Sequence, residues 1–493
     1  MLMVSMEMSQ FPILTTILLS TIIPLLVILF IPDDRPQLVK QVSLLFSGIG
    51  VVLCLWLYVN FDVQKGGLQF VERYLWVKSL GIYYFNGIDG INAPMMLLTA
   101  IVLFTGVLTM WNLEKRVKEF FALTFLLVAG VYGVFISMDL FFMFVWYDVS
   151  LFPMYPLIAI WGGTRKEYGA MKLTLYLLAG SILILPAIIY LWVQGGATTF
   201  DLFELQRIGF DLTTQKIAFV MLYFGFGVLA GVWPFHTWSP VGHVAAPTAV
   251  SMIHAGVLMK LGAYGIIRLG MTLCPEGLHY WSELMALLAT IGIVYGAFVG
   301  LAQTNLKYVV GYSSVSHMGI VGLGLATMTV DGINGAVFQM FSHGIMTALF
   351  FSAIGYIYDR THTIYMPDLG GLSKTMPVAS AFFIIAAFCG VGVPCMASFW
   401  AELLVFISAV KTYPVRGTLA VFGLVVSALF MLRVVQTTFY GDRNEKWAHI
   451  PDVTLVLATP RIILIGVLVF FGLFPRLILD VIQSAVVPFV SSF

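Results

Sequence analysis

The sequence predicts an all-α polytopic membrane protein of about 14 transmembrane helices. Three observations carry that reading. Of 493 residues, 60% are hydrophobic and only 10% charged, whereas roughly a quarter of an ordinary soluble domain is charged. Mean hydropathy is +0.97. Apolar runs of about 20 residues recur along the chain, each long enough to cross a hydrocarbon core of about 30 Å. Backbone groups in lipid must find partners within their own segment, so each run is forced into a helix.

The predicted segments fall near 12–31, 42–60, 94–112, 119–137, 140–161, 171–193 and 216–233, then 245–270, 282–302, 308–328, 333–357, 376–408, 415–438 and 459–480. The first is long enough to span and does not read as a cleavable signal. Lys and Arg are in excess in the loops after odd-numbered segments, as at Lys115, Arg116, Lys118, Arg165, Lys166, Arg443 and Lys446. The positive-inside rule places those loops in the cytoplasm of a bacterial inner membrane and both termini outside. A net charge of +1 argues against nucleic acid as a partner.

Segments 7 and 12 are interrupted. The first runs into Gly231-Val-Trp-Pro234 and the second carries Cys389-Gly-Val-Gly-Val-Pro394. Proline removes a helix hydrogen bond, and glycine loosens the turn around it. Five segments separate the breaks, which suggests two five-helix repeats, the second inverted. Matching broken helices in inverted repeats point to an ion site near the midplane. The expected division is 1–115 (segments 1–3), 116–270 (first repeat, segments 4–8), 280–440 (second repeat, segments 9–13) and 441–493 (a loop and segment 14).

Six ionisable residues lie in or beside these segments: Asp148, Lys172, Lys260, His317, His343 and Glu402. A charge at the bilayer centre costs about 2.5–3.5 kcal/mol on insertion scales, so such residues face the bundle interior and mark ion or proton pathways. Asp148 needs a cation to stay ionised. Lys172 follows the Arg165-Lys166-Glu167 cluster and either snorkels or takes part. Lys260 is flanked by apolar and small residues on both sides. Glu402 follows the second break. His317 and His343 sit among Ser and Gly, and an imidazole can pass a proton between its two ring nitrogens. Metal-ligand spacing is absent. Cys54, Cys274, Cys389 and Cys395 read as small core residues.

Several stretches together resemble the antiporter-like membrane subunits of respiratory Complex I, and among them the chain M type. They are Pro234-Phe-His-Thr-Trp238, His243-Val-Ala-Ala-Pro-Thr248, Ala255-Gly-Val-Leu-Met-Lys-Leu-Gly-Ala-Tyr-Gly265, Gly311-Tyr-Ser-Ser-Val-Ser-His-Met-Gly319, Gln339-Met-Phe-Ser-His-Gly344 and Tyr358-Asp-Arg-Thr-His-Thr363. The resemblance implies proton translocation by a subunit of an NADH–quinone oxidoreductase. It places no cofactor on this chain; NADH, FMN, iron–sulfur clusters and quinone belong to partner subunits. The implied neighbours are membrane-arm subunits of the chain L, N, K and J types, within the lipid bilayer. Asp148 stands where the family has a glutamate. Lys260, Glu402, His317, His343 and Lys172 match its functional positions, with His236 and His254 as a secondary path.

Three departures fall in the first repeat. The family's segment-7 lysine is here Leu229, its glutamate is shortened to Asp148, and its Pro-Asp is Pro240-Val241. Without that lysine, Asp148 lacks its usual charge partner, and His254 is a substitute. The expected path runs from Lys260 through the His317–His343 pair to Glu402, with Asp148 acting on Lys260 by charge at about 6 Å. Two alternatives stay open: a subunit of a multisubunit Na⁺/H⁺ antiporter, and a pumping-impaired spacer in the membrane arm.

Overall fold

The computed structural model describes residues 9, 11–442, 444–491 and 493; Arg443 lies outside them. Among these residues, twelve helices are long and apolar enough to cross a membrane, and the apolar helices Ala93–Thr109 and Pro377–Gly390 are shorter. Together they occupy the fourteen predicted positions, and we number them as spans in that order. Span 8 (Thr248–Met271) and span 11 (Val330–Thr361) are buried along their whole hydropathic windows. They form the axis of the bundle. Spans such as Pro36–Val59 and Lys166–Gln194 are mostly exposed on their outer faces, as lipid-facing helices are.

Both predicted breaks are present. Span 7 is helical over Leu212–Ala230, turns at Gly231, and resumes as a short helix over Trp238–Ala245. Span 12 consists of Pro377–Gly390 and Ala397–Thr412, joined through Gly392. Gly231 and Gly392 have φ of +76° and +73°, the left-handed region that a side chain disfavours. Span 5 is also divided, into Leu140–Leu151 and Met154–Trp161, at Pro153. That break was not anticipated.

Close approach of the axial helices is set by glycine. A Cβ on Gly344 would lie 2.5 Å from the Gly256 carbonyl, and one on Gly256 would lie 3.0 Å from the Gly344 carbonyl. Spans 8 and 11 therefore touch backbone to backbone. A Cβ on Gly335 would meet the Ala401 carbonyl at 2.8 Å, which seats span 12 on span 11 beside Glu402.

The fold is not wholly helical. Strands β1 (Gln69–Val77) and β2 (Ile82–Ile88) form an antiparallel hairpin between spans 2 and 3. Its run of Phe, Val, Tyr, Leu and Trp favours strand, but the sequence reading passed over it as a loop between long helices. Glu72 on β1 accepts from the Leu14 amide at 2.8 Å, so a carboxylate meets the orphan N–H groups at the start of span 1 (Ile13–Phe30). Asp139 Oδ2 accepts from the Tyr83 amide of β2 at 2.9 Å. After span 14 (Leu455–Leu473), a further helix covers Arg476–Val490. The cysteine expectation needs one correction. Cys54, Cys274 and Cys389 are buried, but Cys395 is exposed, because it lies in the loop of the span 12 break.

Candidate functional site

Lys260 occupies a short α-helical stretch, Met259–Gly265, between two π-helical stretches, His254–Leu258 and Ile266–Met271. Such π turns occur mostly at functional sites. The side chain is fully buried. Its Nζ donates to the Ala255 carbonyl inside the first π stretch and lies 2.8 Å from His343 Nδ1 on span 11. When Lys260 is an ammonium it has no lone pair, so His343 Nδ1 is then the acceptor and the proton of a neutral imidazole sits on Nε2. The Gly256–Gly344 contact, one residue from His343, makes this pairing possible.

The row continues in one direction. His343 and His317 stack, with ring centroids 5.2 Å apart and 29° between planes. His317 Nδ1 lies 2.7 Å from the Ser313 carbonyl, so Nδ1 carries a hydrogen and donates. His317 Nε2 is 3.5 Å from Glu402 Oε1. The order is thus Lys260, His343, His317, Glu402, an order that the sequence had left open. The Nδ1–H of His317 is anchored on a carbonyl, which leaves Nε2 as the nitrogen that faces Glu402.

Glu402 is buried and framed by two elements. Gln339 Nε2 approaches Oε1 at 3.5 Å, and Ser342 donates to Gln339 Oε1 at 3.1 Å. On the other side is Gly392, where a Cβ would fall 2.4 Å from Glu402 Oε2. The break in span 12 makes room for the carboxylate. Beside it, Ser398 Oγ donates to the Cys389 carbonyl and ties the two half-helices together.

The first half is arranged differently. Asp148 is partly exposed and accepts from Ser181 Oγ at 2.7 Å. It lines an apolar groove of about 860 Å³ with Phe144, Phe152, Tyr155 and Leu178. Among the described residues no carboxylate lies within 4 Å of Lys260 Nζ, and Asp148 forms no ion pair. Asp148 lines the groove beside span 6, whereas Lys260 pairs with span 11. Leu229 is fully buried. Lys172 lies 5.9 Å from the ring centres of both Tyr168 and Tyr176, and Tyr176 accepts from Thr237 in the span 7 break at 3.0 Å. Lys172 thus sits beside the break, apart from the row.

His254 does not substitute as a partner for Asp148. Its ring stacks on Trp238 at 5.0 Å and meets His243 at 4.4 Å. His243 Nε2 pairs with Ser239 Oγ at 3.0 Å. His236 packs edge-on to Tyr295 at 5.1 Å. Neither ring nitrogen of His236 or His254 has a hydrogen-bond partner among the described residues. Sequence reasoning missed His243 and Gln339 as members of the site, although both lay inside motifs it quoted. It also missed the buried Arg268–Asp89 ion pair, 2.7 Å, at the far end of span 8. Arg268 Nε donates to Tyr264 OH at 3.1 Å, so an aromatic hydroxyl follows Lys260 by one helical turn.

Comparison with known proteins follows this geometry. Residues 137–429 match the family described as NADH:quinone oxidoreductase/Mrp antiporter, transmembrane. An NAD(P)H-quinone oxidoreductase chain 4 from Microcystis aeruginosa is 37% identical over 89% of this chain and 81% of its own length. One from Synechocystis is 36% identical over 88% and 79%. Among solved structures, a chain of Thermus thermophilus respiratory complex I superposes with a TM-score of 0.89 at 25% identity, covering 97% of this chain and 99% of that one. A chain of the Mrp complex from a Dietzia species gives 0.87 at 21% identity over 98% of each chain and so shares the fold.

Proposed function

The chain belongs to the NADH:quinone oxidoreductase/Mrp antiporter family of membrane subunits, and on that premise we propose that the row from Lys260 to Glu402 is its proton path. It is an antiporter-like, proton-translocating membrane subunit of a Complex I-type enzyme. Electrons travel through partner subunits, which carry the nucleotide, flavin, iron–sulfur and quinone sites. Membrane-arm subunits of the chain L, N, K and J types flank it. The repeats run over 116–270 and 280–440, and both termini lie outside a bacterial cytoplasmic membrane.

One observation carries the reading: four titratable side chains from spans 8, 11, 10 and 12 stand in series, and each contacts the next. The chemistry follows from the donors and acceptors. Lys260 holds the proton on Nζ and presents it to His343 Nδ1. His343 then passes its Nε2 hydrogen toward His317, and the hydrogen left on Nδ1 must return to Nε2, by a turn of the ring, before His343 accepts from Lys260 again. His317 Nε2 and Glu402 share the last proton, since one is a bare lone pair when the other is a protonated acid. Nearby charge sets which form is favoured. A unit charge placed about 6 Å away at an effective dielectric near 20 contributes about 2.8 kcal/mol, or two pKa units, enough to load or unload such a site. Asp148 stands outside this row, and Lys172, His236 and His254 lie on the approach to it. A sodium-coupled antiporter is favoured less, because the Mrp likeness extends to the fold alone while the relatives above 30% identity are quinone oxidoreductase chains.

The test is proton uptake per electron pair in the reconstituted complex carrying Lys260→Met. The expected result is loss of this subunit's share. Unaltered stoichiometry would remove Lys260 from the path.

A further inference from the structure

The row begins at Lys260 inside the bundle, and protons must reach it from water. A cleft of about 400 Å³ opens at the end of the molecule that the positively charged loops assign to the cytoplasm. It lies between the loop around Arg165, the end of the short helix Trp238–Ala245, the start of span 10 (Leu306–Ala326), and the segment His362–Tyr365. Hydroxyls of Thr164, Tyr168, Tyr308 and Thr363 line it, with Arg165, His362 and Lys307. No Asp or Glu is among its lining residues.

Lys307 closes the inner end. Its Nζ donates to the Ala246 carbonyl at 3.0 Å and approaches the Val244 carbonyl at 3.4 Å. Those carbonyls cap the helix that bears His243. The Ala246 carbonyl also accepts from Ser251 Oγ at 3.3 Å, and the same hydroxyl donates to the His243 carbonyl at 3.0 Å. Beyond Ser251 come the His243 and His254 rings in contact, and then Ala255, whose carbonyl holds Lys260 Nζ. His243 Nδ1 and both ring nitrogens of His254 are buried without a partner among the described residues, and these unpartnered nitrogens mark the line from the cleft to the head of the row.

We propose that this cleft is the proton uptake port and that Lys307 is the residue positioned at its gate. The proposal rests on the proton path assigned above. A lysine ammonium on a flexible four-carbon stem can leave two carbonyls for open water and return. While it is in place, the inner histidines are shut off. When it swings outward, hydroxyl-lined space reaches them. The lining favours protons over alkali cations for two reasons. A metal ion needs oxygen ligands that offset its charge; here no carboxylate lines the cleft, and Asp359, the acid that acts on Lys307, is shared with Arg360, Arg461 and His362. A proton needs only a chain of hydrogen-bonding groups, and positive charge in a pore is a general barrier to other cations.

The test uses the assembled complex in inside-out membrane vesicles, measuring proton uptake per electron pair. Four forms are compared: Lys260→Met, Lys307→Met, the double variant, and Lys307→Arg. A parallel arm places a single reactive thiol at the mouth, Tyr365→Cys in a Cys395→Ser background, treated with a membrane-impermeant cationic methanethiosulfonate. A methionine of similar length has no charge to draw it into water and stays packed across the inner end, so the expected result is that Lys307→Met, and labelling at position 365, each reproduce the loss seen in Lys260→Met. The double variant should lose no more than either single one, because both act on one path, and Lys307→Arg should retain uptake. If Lys260→Met loses uptake while Lys307→Met and labelling leave it intact, the port is elsewhere. Additive losses also overturn the proposal. If Lys260→Met itself has no effect, the underlying path fails instead. Should Lys307→Met not assemble, the labelling arm alone decides: no loss on labelling overturns the port.

Discussion

The two halves of this molecule share a broken helix and an acid within a span, yet only one of them forms a connected site. In the second half, Glu402 is cradled by Gly392, faced by His317 and approached by Gln339. In the first, Asp148 has a single hydroxyl partner at the edge of an apolar groove, and the position where the family resemblance implies a lysine is the buried Leu229. A break and a carboxylate are therefore not sufficient for a site. A neighbouring titratable group must stand within contact distance, and backbone geometry must bring it there. Lys260 lies between the halves and pairs with the second, through His343.

The comparison breaks most readily at His343. His343→Ala removes the imidazole that joins Lys260 to His317. Removing a positioned acid–base group slows transfer by about 10²-fold or more, so this subunit's uptake should vanish while the complex still assembles. Persistent uptake would mean that the row is bypassed.

Gly344→Ala tests the same junction through packing. Its Cβ would fall 2.5 Å from the Gly256 carbonyl, so spans 8 and 11 must separate. Overpacking of this kind costs about 1–3 kcal/mol, which should appear as a lower melting temperature with uptake reduced several-fold. Normal uptake in a less stable protein would show that the Lys260–His343 contact is dispensable.

Leu229→Lys sharpens the comparison from the other side. It inserts a charge into a buried apolar position at a cost of about 2.5–3.5 kcal/mol. Asp148 has no cation to lose, and the row already works without one, so uptake per electron pair should not rise. A rise would identify the first half as an impaired pump awaiting its lysine. Gly392→Ala concerns the second break alone. A left-handed φ of +73° costs an L-residue about 1–2 kcal/mol, and the added methyl would crowd Glu402. Slower uptake with an intact first half is the expected outcome, read from the coupled turnover.

The sequence made the spans legible because twenty-residue apolar runs have few alternatives in lipid. Both breaks were visible as Gly-Pro clusters, and the charged residues stood out against an apolar background. Contact order was not legible. Nothing in the spacing of His317 and His343 says which one faces Lys260; that follows from the Gly256–Gly344 approach, a long-range packing fact. The hairpin over 69–88 was readable in its aromatic and β-branched run, but long helices on either side drew the reading away from it. Leu229 was recognisable as a departure. What Asp148 does without its partner required the fold, because groove and core look alike in an apolar sequence.

The most direct test of the difference between the halves is the ratio of protons taken up to electron pairs transferred, measured side by side in proteoliposomes of the complex carrying Glu402→Gln or Asp148→Asn. Asn retains an oxygen acceptor for Ser181, whereas Gln cannot take up or release the proton that Glu402 shares with His317. The account predicts that Glu402→Gln removes this subunit's share of uptake and that Asp148→Asn leaves the ratio unchanged. Equal losses in both, or a loss confined to Asp148→Asn, would contradict it.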